Sequence, residues 1–233
     1  MLEVFHLSYY EPFADETYEK LKERIPWAKR VAGVKGIFYG HKECARQSLT
    51  TMFYVVDADA ILEDDFDFTY RPSSELEYWD GVKQNECIHV WRCKNSVNDL
   101  VYGYGGVKLF PRQMTIDQDV TSTDMTTSIS PRFRSMPEVS NLTEFNTDPF
   151  NTWKSAFREC VKLSSKVIDR QKDTETEDRL DVWCTVDNGN FGNYCVAGAK
   201  QGREYGTANI GNTDALKKIN DFNWLQERLN EQN

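Results

Sequence analysis

Histidine is scarce in this chain. There are three, His6, His41 and His89, spread over 233 residues. The six cysteines, Cys44, Cys87, Cys93, Cys160, Cys184 and Cys195, form no C-x-x-C pair. A tetrahedral structural zinc, which draws on closely paired Cys and His ligands, is therefore not expected. No apolar run approaches the roughly 20 residues that a membrane span needs. The opening stretch, MLEVFHLSYYEPF, has no basic n-region and no long apolar core. No export signal is expected from it, and the thiols are expected to be reduced, as in a cytosol. The N-L-T triplet at Asn141 then carries no glycan. The sequence also lacks internal repeats, low-complexity tracts and a clear linker, so one domain is expected. A surplus of positive charge is missing too. The formal net charge is -9, which argues against an extended, non-specific nucleic-acid surface. The basic run KLKERIPWAKRVAGVKG (20–36) is read either as a local patch or as a solvated helix face.

Apolar and aromatic residues are plentiful. Hydrophobic residues make up 39% of the chain, with 6 Trp and 13 Phe. That is enough, at this length, to bury a proper core. LEVFHLS (2–8) reads as a first strand. DETYEKLKERI follows with Tyr18, Leu21 and Ile25 at helical spacing and Pro26 as a stop. VKGIFYG (34–40) reads as a short strand or loop, and HKECARQSLT (41–50) as a short helix. MFYVVD (52–57) is β-branched and aromatic without alternation, as in a strand buried on both faces. This β-α-β-α-β order predicts an α/β layered fold.

Downstream, CIHVWRCKN (87–95) and DLVYGYGGVKLFPR (99–112) read as strands. Residues 113–147 are polar and show no period. PFNTWKSAFRECVKLSSKVI (149–168) is the clearest helix, with Phe150, Trp153, Phe157 and Val161 on one face. DTETEDRLD reads as a charged connection. FGNYCVAGAKQGREYG reads as a helix with small residues at Gly198, Ala199 and Gly202. TDALKKINDFNWLQERLNEQ reads as a final helix capped by Thr213.

The chemistry concentrates at MFYVVDADAIL (52–62), where a buried strand exits into Asp57 and Asp59. Ligands of open α/β sheets bind outside the carboxyl ends of the strands. Two carboxylates two residues apart on a strand face the same way and repel unless a cation lies between them. Hard oxygen ligands of this kind select Mg2+ or Mn2+ and leave positions for substrate phosphates. A surface turn is the alternative reading of any Asp-x-Asp.

The stretch GIFYGHKECARQSLTTMFYVVDADAIL resembles the nucleotide-sugar-binding half of GT-A-type glycosyltransferases. In order of elements the resemblance covers residues 1 to about 112. HKECARQSLTTMFYVVDADA and NTDPFNTWKSAFREC look especially like glycosyltransferases of large tailed bacteriophages. Some relatives of that group attach sugars, arabinose among them, to 5-hydroxymethylcytosine in DNA. The resemblance implies a single GT-A-like, Rossmann-like three-layer domain with a mixed, mostly parallel sheet and C-terminal helices. Residues 1–112 would be the nucleotide-sugar-binding half, and 113–233 the acceptor-side segment and C-terminal helices. It further implies a UDP-sugar donor, an Mn2+ or Mg2+ cofactor, and action in the cytoplasm of an infected host. The acceptor would be double-stranded DNA containing 5-hydroxymethylcytosine. No membrane partner is implied.

On that resemblance Asp57 lies near the donor ribose or the metal, and Asp59 is the direct metal ligand. His41 and Lys42 are placed at a helix start, touching base or phosphates, although a histidine there also suits backbone carbonyls. Arg46 is either a diphosphate partner or a surface charge. Gly105, Gly106 and Lys108 line the sugar pocket, or the glycines form a β-bulge. They are no dinucleotide fingerprint, because the G-x-G-x-x-G spacing is missing. His89, the one histidine after Asp59, is a third metal ligand or a core residue. Candidates for a catalytic base are Asp148, Glu144 and Asp187. Asp148 precedes Pro149 and so also reads as a helix N-cap, and Asp187 also reads as a turn residue. Arg132 and Arg134, in SPRFRSMP, are the candidate DNA contacts, or part of an ordinary surface loop. Two other readings compete: a glycosyltransferase for a cell-surface or lipid-linked glycan, and a nucleotide-sugar-binding protein without catalysis. A nucleotidyltransferase would want a glycine-rich basic loop after the first strand, and HLSYYEPFADE is not one.

Overall fold

The computed structural model describes all residues except 104, 123, 131–132, 169–170 and 232–233. The chain divides into two compact units. The first, the sheet unit, comprises residues 1–94, 101–121 and 125–143; the second, the helical unit, comprises 95–100, 122–124 and 144–233.

The sheet unit opens with β1 (Glu3–Ser8), α1 (Ala14–Arg24), β2 (Lys29–Ala32), α2 (Ile37–Gln47) and β3 (Met52–Asp57). The βαβαβ order read from the sequence is therefore present, but β2 and α2 are displaced. β2 is KRVA, inside the basic run, and α2 begins at Ile37 rather than His41. Hydrophobic spacing hid both. β2 buries only Val31, and Gly36 at φ 93° starts the helix without a side-chain cap. Most of the basic run is locally paired. Lys29 bonds Glu3, Arg30 bonds Asp15 and Lys20 bonds Glu16. It presents no uncompensated patch.

The chain continues through β4 (Ala60–Leu62), β5 (Ile88–Asn95), β6 (Val101–Tyr102), β7 (Val107–Pro111), α3 (Arg112–Asp117), α4 (Met125–Ile129) and β8 (Phe133–Thr143). Among the described residues the strand order is β2-β1-β3-β7-β5-β8-β4, with β6 beside β5. β1 pairs in parallel with both β2 and β3. The pairings β3–β7, β5–β7, β5–β6 and β4–β8 are antiparallel. The sheet is mixed, as expected, but it is not mostly parallel. Parallel strands need a crossover, usually a helix, and only β1, β2 and β3 are joined by one. The segment 113–147, patternless in sequence, supplies α3, α4 and β8.

Alternation along the strands separates two faces. Val4, Tyr54, Val56 and Leu109 pack with Leu21 of α1 and with Phe66 and Phe68. Phe5, Phe53, Val55 and Phe110 pack with Phe38, Cys44 and Ala45 of α2. Helices thus cover both sides, and β3 is buried on both.

The helical unit contains α5 (Pro149–Ser165), α6 (Asp173–Thr185), α7 (Gly192–Ala208), α8 (Thr213–Lys217) and α9 (Phe222–Asn230). The charged stretch DTETEDRLD is the start of α6, not a connection. It inserts Thr176, Leu180, Trp183 and Cys184 into the unit, with charge on its other positions. The final helix is two helices, and the caps are Asn212 and Asp221 rather than Thr213. α5 starts as read, capped by Asp148 with Pro149 at its first position, but it ends at Ser165, three residues earlier than read. Gly198, Gly202 and Gly206 of α7 meet the backbone at Trp153, Phe157 and Val161 of α5 in ascending order. The two helices therefore run parallel, backbone against backbone. All six cysteines are buried and free, and Asn141 is fully buried, which bars a glycan there. No helix among the described residues is long and apolar enough to cross a membrane.

Candidate functional site

β1 lies between β2 and β3. The chain leaves β1 to one side to make β2 and returns to the other to make β3. The switch in strand order therefore falls between β1 and β3, where open α/β sheets form a ligand crevice at the carboxyl ends. Asp57 is the last residue of β3. Its N–H donates to Gly106 O (2.8 Å), and the Ala58 N–H donates to Leu7 O (3.0 Å). The exit of β3 is thus tied to β7 on one side and β1 on the other. Asp59 lies not on the strand but in the turn between β3 and β4. Ala60, next to it, pairs with Thr143 of β8.

Asp57, Lys108 and Phe110 project on the α2 face. Lys108 is buried and its Nζ lies 2.9 Å from Asp57 Oδ2. The Asp57 carboxylate, by charge and hydrogen bond, holds the Lys108 ammonium protonated against burial. Asp59 is pushed the other way, up to about 7. Burial contributes most, then repulsion from Asp57 and Glu11, with Lys108 opposing. The carboxylates of Asp57 and Glu11 both act on Asp59, and the Lys108 ammonium acts against them. These carboxylates are hard oxygen donors whose repulsion a divalent cation would relieve, so the donor set suits Mg2+ or Mn2+. Asp57 and Asp59 would hold it, with positions left for water or phosphate. Among the described residues no three His, Cys, Asp or Glu side chains converge to enclose a metal.

His41 is in the second turn of α2, not at its start, and is fully buried. Its Nδ1 lies 2.8 Å from Ile37 O. Its ring meets Phe110 edge-on, with centroids 5.0 Å apart. Burial lowers its pKa to about 4, with Asp57 opposing and Lys108 assisting, so the imidazole is neutral at pH 7. Lys42 follows on the same helix, partly exposed. Arg46 is elsewhere. It sits exposed in the last turn of α2, 3.5 Å from Glu43. The neighbouring Ala45 and Ser48 carbonyls take the Arg112 guanidinium, and the Arg112 N–H reaches Thr51 beside the start of β3. Five strand steps, about 17 Å, separate that end from Asp57. The diphosphate role for Arg46 is thereby corrected: helix α2 runs antiparallel to β3 and carries Arg46 to the wrong end.

Gly106 has φ 66°, and a Cβ there would fall 2.0 Å from Asn141 Oδ1, so only glycine fits. Gly105 is different; a Cβ there would meet no heavy atom within 4 Å. His89 belongs to the opposite face. It is buried on β5, with its Nε2 3.0 Å from the Tyr78 hydroxyl and its ring 5.1 Å from that of Tyr70. This is the core reading, not a third metal ligand.

Arg134 is no surface contact. It lies on β8, nearly buried, with Nη2 2.6 Å from Asp80 Oδ1 and its guanidinium 4.2 Å above the Tyr78 ring. The DNA role is corrected for this residue, because its charge is spent on a buried partner. Arg132 lies outside the described residues. Replacing Arg134 by Ala is expected to destabilise the sheet unit by about 3 kcal/mol in urea unfolding, since it strips a buried carboxylate of its counter-charge. A pair replaced together, Arg134→Met with Asp80→Leu, should recover most of the loss. A protein of wild-type stability after Arg134→Ala would show that the pair contributes nothing.

Asp148, Glu144 and Asp187 belong to the helical unit. Asp148 Oδ1 accepts the Asn151 N–H at 2.8 Å and its Oδ2 the Asn151 side-chain amide at 2.5 Å, so the capping reading holds. Glu144 and Asp187 are exposed. The Asp187 carbonyl packs where a Cβ on Gly192 would stand, in the connection between α6 and α7.

Three residues around Asp57 and Asp59 escaped the sequence reading: Glu11, His6 and Asn141. Glu11 sits just after β1, where its Oε2 accepts the Tyr9 N–H at 2.7 Å. His6, on β1, meets Thr17 Oγ1 at 2.9 Å, is held near pKa 4 chiefly by burial, and feels the Asp57 charge. Asn141 looked like a glycosylation acceptor but packs under Gly106. A carboxylate soon after the first strand was the only available signal. No protein-family model, curated protein or solved structure matches the chain.

Proposed function

We propose that the chain is a metal-dependent glycosyltransferase that moves a sugar from a nucleotide-sugar donor, UDP-linked, to an acceptor hydroxyl, with 5-hydroxymethylcytosine in phage DNA as the acceptor. One observation carries the donor half. Asp57 and Asp59 stand at the carboxyl end of a doubly buried strand, at the switch between β1 and β3. That is where the fold class puts its ligand. Sequence resemblance alone supports the DNA acceptor, and Arg134 no longer adds to it.

The chain's own groups suit a diphosphate. Asp57 and Asp59 would hold the cation, which when bound acts as a Lewis acid toward the departing nucleoside diphosphate. Lys108 keeps an ammonium beside the same carboxylates in a buried setting, where a fixed charge acts strongly on developing negative charge. Gly105 leaves open space beside the main chain, room for a sugar to approach.

Calorimetry with UDP-, GDP- and CDP-sugars, with and without Mn2+, tests this reading. One UDP-sugar is expected to bind only with metal, and Asp59→Ala to abolish that binding. Absence of binding by every nucleotide under every condition would sink the proposal. If donor binding holds, duplex DNA with and without 5-hydroxymethylcytosine distinguishes the acceptors, read as a sugar-sized mass increase on the base.

A further inference from the structure

The His41 ring offers a second recognition element, and its chemistry follows from one hydrogen bond. A carbonyl oxygen cannot donate, so the 2.8 Å contact between His41 Nδ1 and Ile37 O requires the proton on Nδ1. In the neutral ring Nε2 is then a bare lone pair. Nε2 is buried and has no hydrogen-bond partner within the chain. Buried polar atoms normally have partners, and an acceptor without one calls for an explanation.

The surroundings supply it. The ring sits edge-on against Phe110. Phe110 and Lys108 project from the same face of β7, and Lys108 bonds Asp57 at 2.9 Å. Of the three histidines, His41 alone shares the Asp57 face. His6 and His89 lie on the other, where Thr17 and Tyr78 engage Nε2 and leave a buried Nδ1 unpartnered, away from the Asp57 face. A carboxylate oxygen offers Nε2 nothing, because both atoms accept. A phosphate oxygen offers nothing either, so His41 does not touch a diphosphate. A hydroxyl or an N–H group does match.

We propose that His41 Nε2 is the hydrogen-bond acceptor for a hydroxyl or N–H group of the ligand held at Asp57, and that it selects that group against phosphate oxygen. This rests on the nucleotide-sugar reading and assigns it a polar contact made by neither metal nor lysine. The sequence alone suggested phosphate or base, because it could not tell which nitrogen carries the proton.

Two measurements test it. Long-range 1H–15N spectra of the 15N-labelled protein report the tautomer directly. The Nδ1–H form is expected, with the Nε2 resonance moving on addition of UDP-glucose and Mg2+ but not of inorganic pyrophosphate and Mg2+. An Nε2–H tautomer overturns the proposal whatever binds. In the second, calorimetry compares wild type with His41→Phe, which keeps the ring and removes the lone pair, and with His41→Asn, which keeps a donor toward Ile37. UDP-glucose is expected to bind both variants at least tenfold more weakly, with pyrophosphate unchanged and His41→Phe melting no lower than wild type. Equal UDP-glucose affinity in wild type and His41→Phe overturns the proposal alone. Weakening of pyrophosphate to the same degree, at about pH 8.5 with saturating Mg2+ where it has lost its last P–OH proton and offers no donor, also overturns it. The same comparison is made with whichever nucleotide-sugar binds wild type most tightly; failure of wild type to bind any UDP-, GDP- or CDP-sugar overturns the nucleotide-sugar reading and this contact with it.

Discussion

Asp59→Asn is expected to raise the melting temperature at pH 8 and to leave it unchanged near pH 4, in the absence of divalent ions. In the folded chain the Asp59 carboxyl is held up to about 7 by burial, Asp57 and Glu11; in the unfolded chain it ionises near its ordinary value of 3.8. Below that value both states carry the proton, and the substitution changes nothing. Between the two values only the folded state keeps the proton, so stability falls as pH rises. Above 7 the folded state must ionise, and the penalty is complete. That penalty is on the order of 2–4 kcal/mol. The amide removes it. Mg2+ or Mn2+ should remove it too, by taking the proton's place, so added metal should raise the melting temperature of wild type above pH 7 and leave Asp59→Asn unmoved. Thermal unfolding across pH 4–8, with and without Mn2+, reads all three effects. A wild-type melting temperature that rises from pH 5 to 8 without metal contradicts this account.

A larger loss is expected from Gly202→Leu in the helical unit. A Cβ at this position would lie 2.4 Å from the Phe157 carbonyl oxygen. Helix α7 would have to withdraw from α5 by about an ångström, since ordinary contact begins near 3.4 Å. The stacked Trp153 and Phe157 rings, 4.8 Å apart and fully buried, lie on the same stretch of α5. Alanine gains roughly 1 kcal/mol of helix propensity over glycine, yet Gly202→Ala should still cost about 2 kcal/mol net through overpacking. Leucine adds three more carbons to the same contact and should leave the helical unit unfolded at 25 °C. Loss of helical circular dichroism measures this. Gly105→Ala is the control, because its Cβ would stand in open space. A Gly202→Leu chain with wild-type helicity would mean that the two backbones are not in contact.

The pattern of success and failure in the sequence reading has physical causes. β3 was legible because five consecutive β-branched, aromatic and apolar positions, followed by a carboxylate, suit a strand buried on both faces. α5 was legible because its apolar spacing and its Asp-Pro start agreed. β2 was not, because it buries one side chain of four and its charges looked like those of a helix. α6 was not, because a 13-residue helix that buries four residues leaves too weak a period under its acids. Of the sequence candidates, Asp57, Asp59, Lys108 and Gly106 lie together around the end of β3, while Arg46 and Arg134 lie elsewhere. An arginine reads the same in sequence whether it faces solvent or a buried carboxylate; only the partner distinguishes them. Parallel pairing of β1 with β3 brings His6 within reach of the Asp57 charge, and Glu11, just after β1, acts on Asp59; pairing across some fifty residues leaves no local mark.

The place of β4 in the sheet has a kinetic consequence. It follows Asp59 directly, but its partner is β8, with Ala60 opposite Thr143 and Leu62 opposite Asn141. The strands β1, β2 and β3 can assemble from the first sixty residues, with neighbouring helices closing short loops. The turn that carries Asp59 must wait for a partner some eighty residues further on, and closing so distant a pair is slow. A chain still emerging from the ribosome can therefore pair β1, β2 and β3 before the turn carrying Asp59 is fixed. Ligand-dependent protection from amide exchange should arrive late in refolding, after the βαβαβ core is already closed.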